Sequence, residues 1–170
     1  MFIKTSWISS GLFAAILLCF FLPFLDLKCN DALIGEVSGA DLITGEDIHV
    51  APEVSFNDDD SHSYVDRNYF AVVALTLALA GFILSLVMKE KREMFLSIIG
   101  LAGAMCLFLM RIQIMNKLSS DTDDTAKYIV NIEFVFGYWF TLILFLTVAF
   151  LNMYSFMEGE RKALDSKHKL

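Results

Sequence analysis

The chain has 170 residues, of which 56% are hydrophobic and 19% are charged, and its formal net charge is -7. This composition lies outside the range of soluble globular domains and predicts an integral membrane protein built as a bundle of helices. So acidic a surface gives no support for binding nucleic acid, and the lipid bilayer is the first partner we expect.

Residues 1–25 are predicted to form a cytoplasmic N-terminus and the first transmembrane helix. An apolar run from Trp7 to Leu25 follows Lys4. The run is too long for a cleaved signal peptide and has no small-x-small cleavage site, so we expect an uncleaved span. Trp7 is expected to lie at the membrane interface.

Residues 26–68 form a long acidic loop, with eleven acidic residues against Lys28 and Arg67. The loop is predicted to lie outside the cytoplasm. Ser38 and Asp41 have the spacing of a capping box, and Gly45 stands where a short helix would end, with Leu42 and Ile43 facing the bundle. Alternating apolar residues in the range 48–56 predict a small hairpin. We therefore expect a small loop domain, partly helical and partly β.

Two further spans are predicted at residues 69–88 and 94–112, joined by a basic turn at 89–93. The positive-inside rule places this turn in the cytoplasm. Small residues in both spans are predicted to allow close helix packing, either between these helices or against a partner subunit, and the short turn favours the internal contact. They are Gly81, Ser85, Gly100, Gly103 and Ala104.

Residues 113–130 are predicted to form a second extracytoplasmic loop, 131–154 the fourth transmembrane helix and 155–170 a cytoplasmic tail. Aromatic residues near the start of the fourth span predict an interfacial belt. The fold class is therefore an all-α membrane protein, a four-transmembrane-helix bundle with both termini in the cytoplasm.

Arg111 and Glu133 flank the second outer loop at comparable depth, which favours a structural ion pair or snorkelling to the headgroups. The alternative makes Arg111, Gln113 and Glu133 the mouth of a conduction path. Because no acid, lysine or histidine lies near the middle of any span, the sequence disfavours a pump or a proton-coupled carrier.

No metal site is predicted. Asp58, Asp59 and Asp60 with His62 and Asp66 offer carboxylate oxygens, but the EF-hand glycine and glutamate are missing. A solvated acidic turn is the preferred interpretation, because runs of like charge repel one another and stay hydrated.

No cofactor and no catalytic activity are predicted, and we expect the chain not to be an enzyme. The sequence contains no glycine-rich phosphate loop, no Ser/His/Asp set and no Cys-x-x-Cys pair. Cys19 and Cys106 lie inside predicted spans, which leaves Cys29 as the one thiol predicted on the outer side, either free or bridged to another chain.

Cys29 soon after the first span, followed by Ser38, Gly39, Asp41, Leu42, Thr44 and Gly45 in the outer loop, resembles a pattern in uncharacterised four-span inner-membrane proteins of bacteria. The resemblance implies the bacterial inner (cytoplasmic) membrane as the location and carries no activity with it.

From these observations we expect a non-catalytic accessory or scaffold subunit of a bacterial inner-membrane complex, which presents an acidic periplasmic cap. Its partner would be another membrane protein or a second copy of itself. The alternative is a homo-oligomeric cation channel or a transport-related protein, in which the outer acids concentrate cations.

Overall fold

The computed structural model describes residues 5–29, 32–45, 68–87, 92–120 and 130–167. In chain order the elements are helix α1 (Thr5–Cys19), strands β1 (Pro23–Cys29) and β2 (Ala32–Ser38), helices α2 (Asp41–Thr44), α3 (Tyr69–Val87) and α4 (Arg92–Ser120), strand β3 (Val130–Phe134) and helix α5 (Phe136–Lys167). The architecture is a helix bundle with a three-stranded antiparallel sheet at one end.

Among the described residues, three helices are long and apolar enough to cross a membrane, namely Tyr69–Val87, Arg92–Asn116 and Phe136–Gly159. The fourth apolar helix is shorter, with its apolar part at Trp7–Cys19. Helix α1 contacts α3 and α5, and α4 contacts the same two helices. The four helices therefore form a ring in which α3 and α5 are the neighbours of both α1 and α4.

The buried face of α3 consists of small residues that recur every three or four positions, which places them on one side of the helix. They are Ala71, Ala74, Ala78, Gly81 and Ser85. At Gly81 the aromatic ring of Phe13 from α1 occupies the space that a Cβ would need. The small face of α3 thus lets α1 approach closely.

Helix α4 uses its glycines against α5. A Cβ at Gly100 would lie 3.0 Å from the backbone nitrogen of Ala149, and one at Gly103 would overlap the ring of Phe145. Gly81, Gly100 and Gly103 therefore all lie at close contacts between helices of the same chain. The contacting helices are α1 and α5, whereas the prediction favoured contact between the two small faces themselves.

The predicted first span ran to Leu25, but α1 ends at Cys19. The amides of Phe21 and Leu22 bond to carbonyl oxygens three residues earlier, which tightens the last turn. Pro23 has no amide hydrogen and restricts the residue before it, so the helix stops and a strand begins. The apolar pattern continues because Phe24 and Leu25 are buried against the end of the bundle.

The predicted fourth span began at residue 131, but α5 begins at Phe136 because Val130–Phe134 forms β3. The amide of Val135 then donates to the carbonyl oxygen of Phe24. Two predicted irregular segments are also partly helical: α4 continues through residues 113–120 and α5 through residues 155–167. The predicted hairpin at 48–56 and most of the turn at 89–93 lie outside the described residues.

The strand order is β2-β1-β3. Leu25 pairs with Val37 and Phe134, and Leu27 pairs with Gly35 and Ile132. Leu25 and Val37 are almost fully buried. A register shift next to Phe24 lets that ring turn inward beside Leu25. One sheet face is therefore apolar and packs on the bundle.

Candidate functional site

The other face of the sheet carries a row of three carboxylates. Asp26 in the central strand pairs directly with Glu36 of β2 on one side and with Glu133 of β3 on the other. Directly paired residues point to the same face, with Cβ atoms about 5 Å apart. Glu36 and Glu133 are exposed and Asp26 is half-buried. The acidic row (Glu36, Asp26 and Glu133) is thus the polar surface of the sheet.

Lys28 lies beside this row and forms an ion pair with its last member. Its Nζ donates to Oε2 of Glu133 over 2.6 Å, and the two side chains are 31% and 49% exposed. At that exposure an ion pair contributes about 0.2–1 kcal/mol to stability. Three carboxylates and one lysine are thus described on this face of the sheet, so the face is net acidic.

Arg111 and Glu133 were predicted to form an ion pair with each other or to snorkel to the headgroups. The structure instead pairs Glu133 with Lys28, and the Arg111 guanidinium lies over two aromatic rings. Its central carbon is 5.0 Å from the ring centroid of Trp139 and 5.5 Å from that of Phe134. The difference arises because residues 130–134 form β3, which places Glu133 beside β1 on the sheet face that points away from the bundle. The prediction had assigned residues 131–134 to the fourth transmembrane helix.

Gln113, the third residue of the predicted conduction mouth, lies in α4 two residues after Arg111. Its side-chain oxygen is buried and has no hydrogen-bond partner among the described residues. The described contacts join Glu133 to the sheet and Arg111 to the rings. Glu133 and Arg111 therefore have different partners.

The outer-loop motif forms the joint between α1, the sheet and α3. The amide of Ser38 donates to the Asp41 carboxylate over 2.8 Å, and the amide of Asp41 donates back to the Ser38 hydroxyl over 3.2 Å. These two bonds have the reciprocal pattern of the predicted capping box, although α2 itself begins at Asp41, directly after Ala40, which forms no side-chain capping bond. Gly45 has a φ of 72°, the left-handed conformation typical of a helix C-terminus. The predicted short helix is confirmed as α2.

Two further residues of this motif, Gly39 and Leu42, connect it to the end of α1 and to the start of α3. A Cβ at Gly39 would lie 2.9 Å from the Phe20 carbonyl oxygen, so only glycine fits without a shift of the chain. Leu42 is buried, and its carbonyl oxygen accepts a hydrogen bond from the amide of Asn68. The Asn68 side chain in turn accepts from the amide of Phe70 and caps α3.

A buried polar contact at the opposite end of the bundle was missed from the sequence. The Ser9 hydroxyl donates to the Asn152 side-chain oxygen over 3.1 Å, and the Asn152 amide group donates to the carbonyl oxygen of Val148. Ser97 bonds nearby, to the carbonyl oxygen of Ala149. The available signal was an asparagine inside an apolar run, which must find a partner when it is buried.

The described residues contain no group of three or more His, Cys, Asp or Glu side chains placed to hold a metal ion. The acidic run predicted as a solvated turn, Asp58, Asp59 and Asp60 with His62 and Asp66, lies outside the described residues. Cys19 and Cys106 are free cysteines within helices, and Cys29 is the last residue of β1.

This end of the molecule therefore combines a sheet with an acidic face and an arginine, Arg111, that is held over two aromatic rings. Comparisons of the sequence with protein-family models and with curated proteins give no match.

Proposed function

We propose that the protein is a non-catalytic accessory or scaffold subunit of a bacterial inner-membrane complex, and that the acidic sheet face is its docking surface on the periplasmic side. The observation that carries the proposal is the in-register row of Glu36, Asp26 and Glu133 on a sheet seated on the helix bundle. Carboxylates held directly opposite one another repel, so a basic surface of a partner would stabilise them.

The proposed topology has four spans with both termini in the cytoplasm. Helix α1 has 15 residues and is about 22 Å long at 1.5 Å per residue, which is shorter than a hydrocarbon core of about 30 Å. The apolar turn from Phe20 to Leu22 would complete the crossing, with local thinning of the bilayer. The basic residues at 89–92 support the cytoplasmic side for the opposite end.

This orientation can be tested with a thiol reagent that cannot enter cells. We expect a cysteine in place of exposed Glu36 to react in intact cells and one in place of Lys91 to react only after lysis, in a background with Cys29 replaced by serine. The reverse pattern would place the acidic sheet in the cytoplasm and would overturn the proposed location.

The docking role can be tested by crosslinking and affinity purification from intact membranes. The double variant Asp26→Asn/Glu36→Gln removes two carboxylates of the acidic row but leaves the Lys28–Glu133 pair in place. We expect it to lose a co-purifying membrane protein that the unmodified chain retains. Glu158→Gln, which removes one charge at the far end of α5, is the control and should retain the partner.

A chain that always migrates alone in native detergent purification would contradict the scaffold proposal. A partner that is recovered equally with the double variant would leave the scaffold role in place but would overturn the acidic row as its docking surface.

The second candidate is a homo-oligomeric cation channel, which the same acidic row would favour by concentrating cations. Fully buried side chains fill the space between the helices of one chain, among them Phe13, Leu107 and Phe145. A conduction path would therefore have to lie between copies. Reconstituted protein with no conductance at low salt would remove this candidate.

A further inference from the structure

Arg111 is the first charged residue after the uncharged part of α4. Arg92 and Arg111 are 19 positions apart on α4, and residues 94–110 between them carry no charge. Nineteen residues of helix span about 28 Å, which matches a hydrocarbon core of about 30 Å. If Arg92 stands at one boundary of the core, Arg111 stands at the other, on the side of the sheet.

The Arg111 side chain is held there by aromatic rings. Its guanidinium lies over Trp139 and Phe134, and the side chain is half-buried. A cation over a ring face is attracted by the ring quadrupole. Ring contacts restrict the side chain but supply no acceptor for its N–H groups, of which a guanidinium has five.

No carboxylate within the described part of the chain forms an ion pair with Arg111. Glu133, which the sequence suggested as a partner for Arg111, is bound to Lys28. Among the described residues, the contacts given for the Arg111 guanidinium are therefore with ring faces and not with an anion. The anion present in quantity at that depth is the phosphate of a phospholipid headgroup.

We propose that Arg111 binds the phosphate group of a phospholipid in the leaflet on the side of the sheet, with Trp139 and Phe134 fixing the orientation of the guanidinium. The planar guanidinium matches phosphate oxygens through paired N–H···O bonds, which a lysine ammonium cannot form in the same geometry. Trp139 is 42% exposed and sits beside exposed Phe136 and Phe140, as expected at the headgroup boundary.

The proposal goes beyond the scaffold role and does not depend on it. It requires only that α4 and α5 cross a membrane, so it holds for either orientation and with or without a protein partner.

The test uses the full chain in detergent, with Trp7→Phe leaving Trp139 as its one tryptophan. Emission from Trp139 is followed while short-chain phosphatidylglycerol, inorganic phosphate or a phosphate-free diacylglycerol is added. We expect a saturable change with phosphatidylglycerol and a much smaller one with diacylglycerol. Inorganic phosphate, which lacks acyl chains, should act only at far higher concentration.

Three variants assign the site. Arg111→Gln should weaken the apparent affinity for phosphatidylglycerol about tenfold, the usual size of a lost hydrogen bond to a charged group. Arg111→Lys should fall between Arg111→Gln and the parent chain. Arg161→Gln removes an exposed arginine at the other end of the protein and should leave the affinity unchanged.

Native mass spectrometry of retained lipid gives a second readout that does not involve Trp139, and circular dichroism confirms that each variant is folded. Equal lipid affinity for folded Arg111→Gln and the parent chain would overturn the proposal, as would equal binding of diacylglycerol. Inorganic phosphate with the same affinity as phosphatidylglycerol would overturn the lipid as the source of the anion.

Discussion

Ser9 and Asn152, 143 positions apart in the chain, are joined by a buried hydrogen bond between their side chains that ties α1 to α5. Both side chains are almost fully buried. We expect Asn152→Leu to destabilise the protein by about 0.6 kcal/mol and by no more than about 1.7 kcal/mol, the average and the maximum measured for hydrogen bonds between membrane helices. Ser9→Ala should have a similar effect, because it leaves the Asn152 oxygen without its donor.

Unfolding in detergent, followed by circular dichroism, measures both variants. Ser10→Ala is the matched control, since Ser10 is the next residue in α1 and lines an open groove of about 420 Å³ between α1 and α3. If all three variants unfold alike, the Ser9–Asn152 bond contributes nothing specific.

Substitution by leucine should destabilise the protein at Gly81 but should be tolerated at Gly11. Gly81→Leu forces a side chain into the Phe13 ring, whereas a Cβ at Gly11 meets no atom within 4 Å. We expect Gly81→Leu to cost about 3 kcal/mol of stability through overpacking and Gly11→Leu to be tolerated. Phe13→Ala should partly rescue Gly81→Leu, and the absence of any rescue in the unfolding midpoint would show that the Phe13 contact is not the cause.

Asp26 stands between two carboxylates of the acidic row, so its removal should relieve repulsion. We expect Asp26→Asn to raise the free energy of unfolding by about 0.5 kcal/mol at low salt, with the gain shrinking as added salt screens the charges. Lys28→Gln should act in the opposite direction, because it breaks the ion pair with Glu133. Denaturation at two ionic strengths compares them, and shifts of the same sign would contradict this electrostatic account.

The capping box of α2 should be a local determinant of stability. Asp41→Ala removes the acceptor for the Ser38 amide and hydroxyl, and we expect a loss of about 1 kcal/mol. Thr44→Ala is the control within the same helix, because Thr44 is exposed and its hydroxyl bonds only over 3.3 Å or more. Hydrogen exchange at the amides of residues 41–45 should rise in the first variant and stay nearly unchanged in the second.

The features that the sequence predicted well depend on residues close together in the chain. The Ser38/Asp41 box and Gly45 specify α2 within eight residues, and the uncharged run of α3 is long enough to be recognised alone. The sequence indicated which glycines would pack closely but not which helices they would contact. Gly81 meets Phe13 and Gly103 meets Phe145, and both contacts join residues that are far apart in the chain.

The sheet could not be predicted in the same way, since β1 pairs with β3 across more than a hundred residues. Its central strand, with Phe24 and Leu25, continues an apolar run and so looked like the end of a helix. Pro23 was the local sign that the helix stops. Residues 26–29 were predicted as part of the acidic loop and not as a strand beside β3, so Lys28 was not considered as a partner for Glu133.

The sheet also limits how the helices can move. Three residues link α1 to β1, and Val135 alone links β3 to α5, while β1 and β3 are adjacent in the ladder. Sliding α1 along α5 by about 3.4 Å, the length of one strand residue, would shift the register between β1 and β3 and reverse the faces of β1, which would expose Leu25. The buried Ser9–Asn152 hydrogen bond joins the same two helices at the far end, so a piston-like shift of α1 along α5 would break contacts at both ends of the pair.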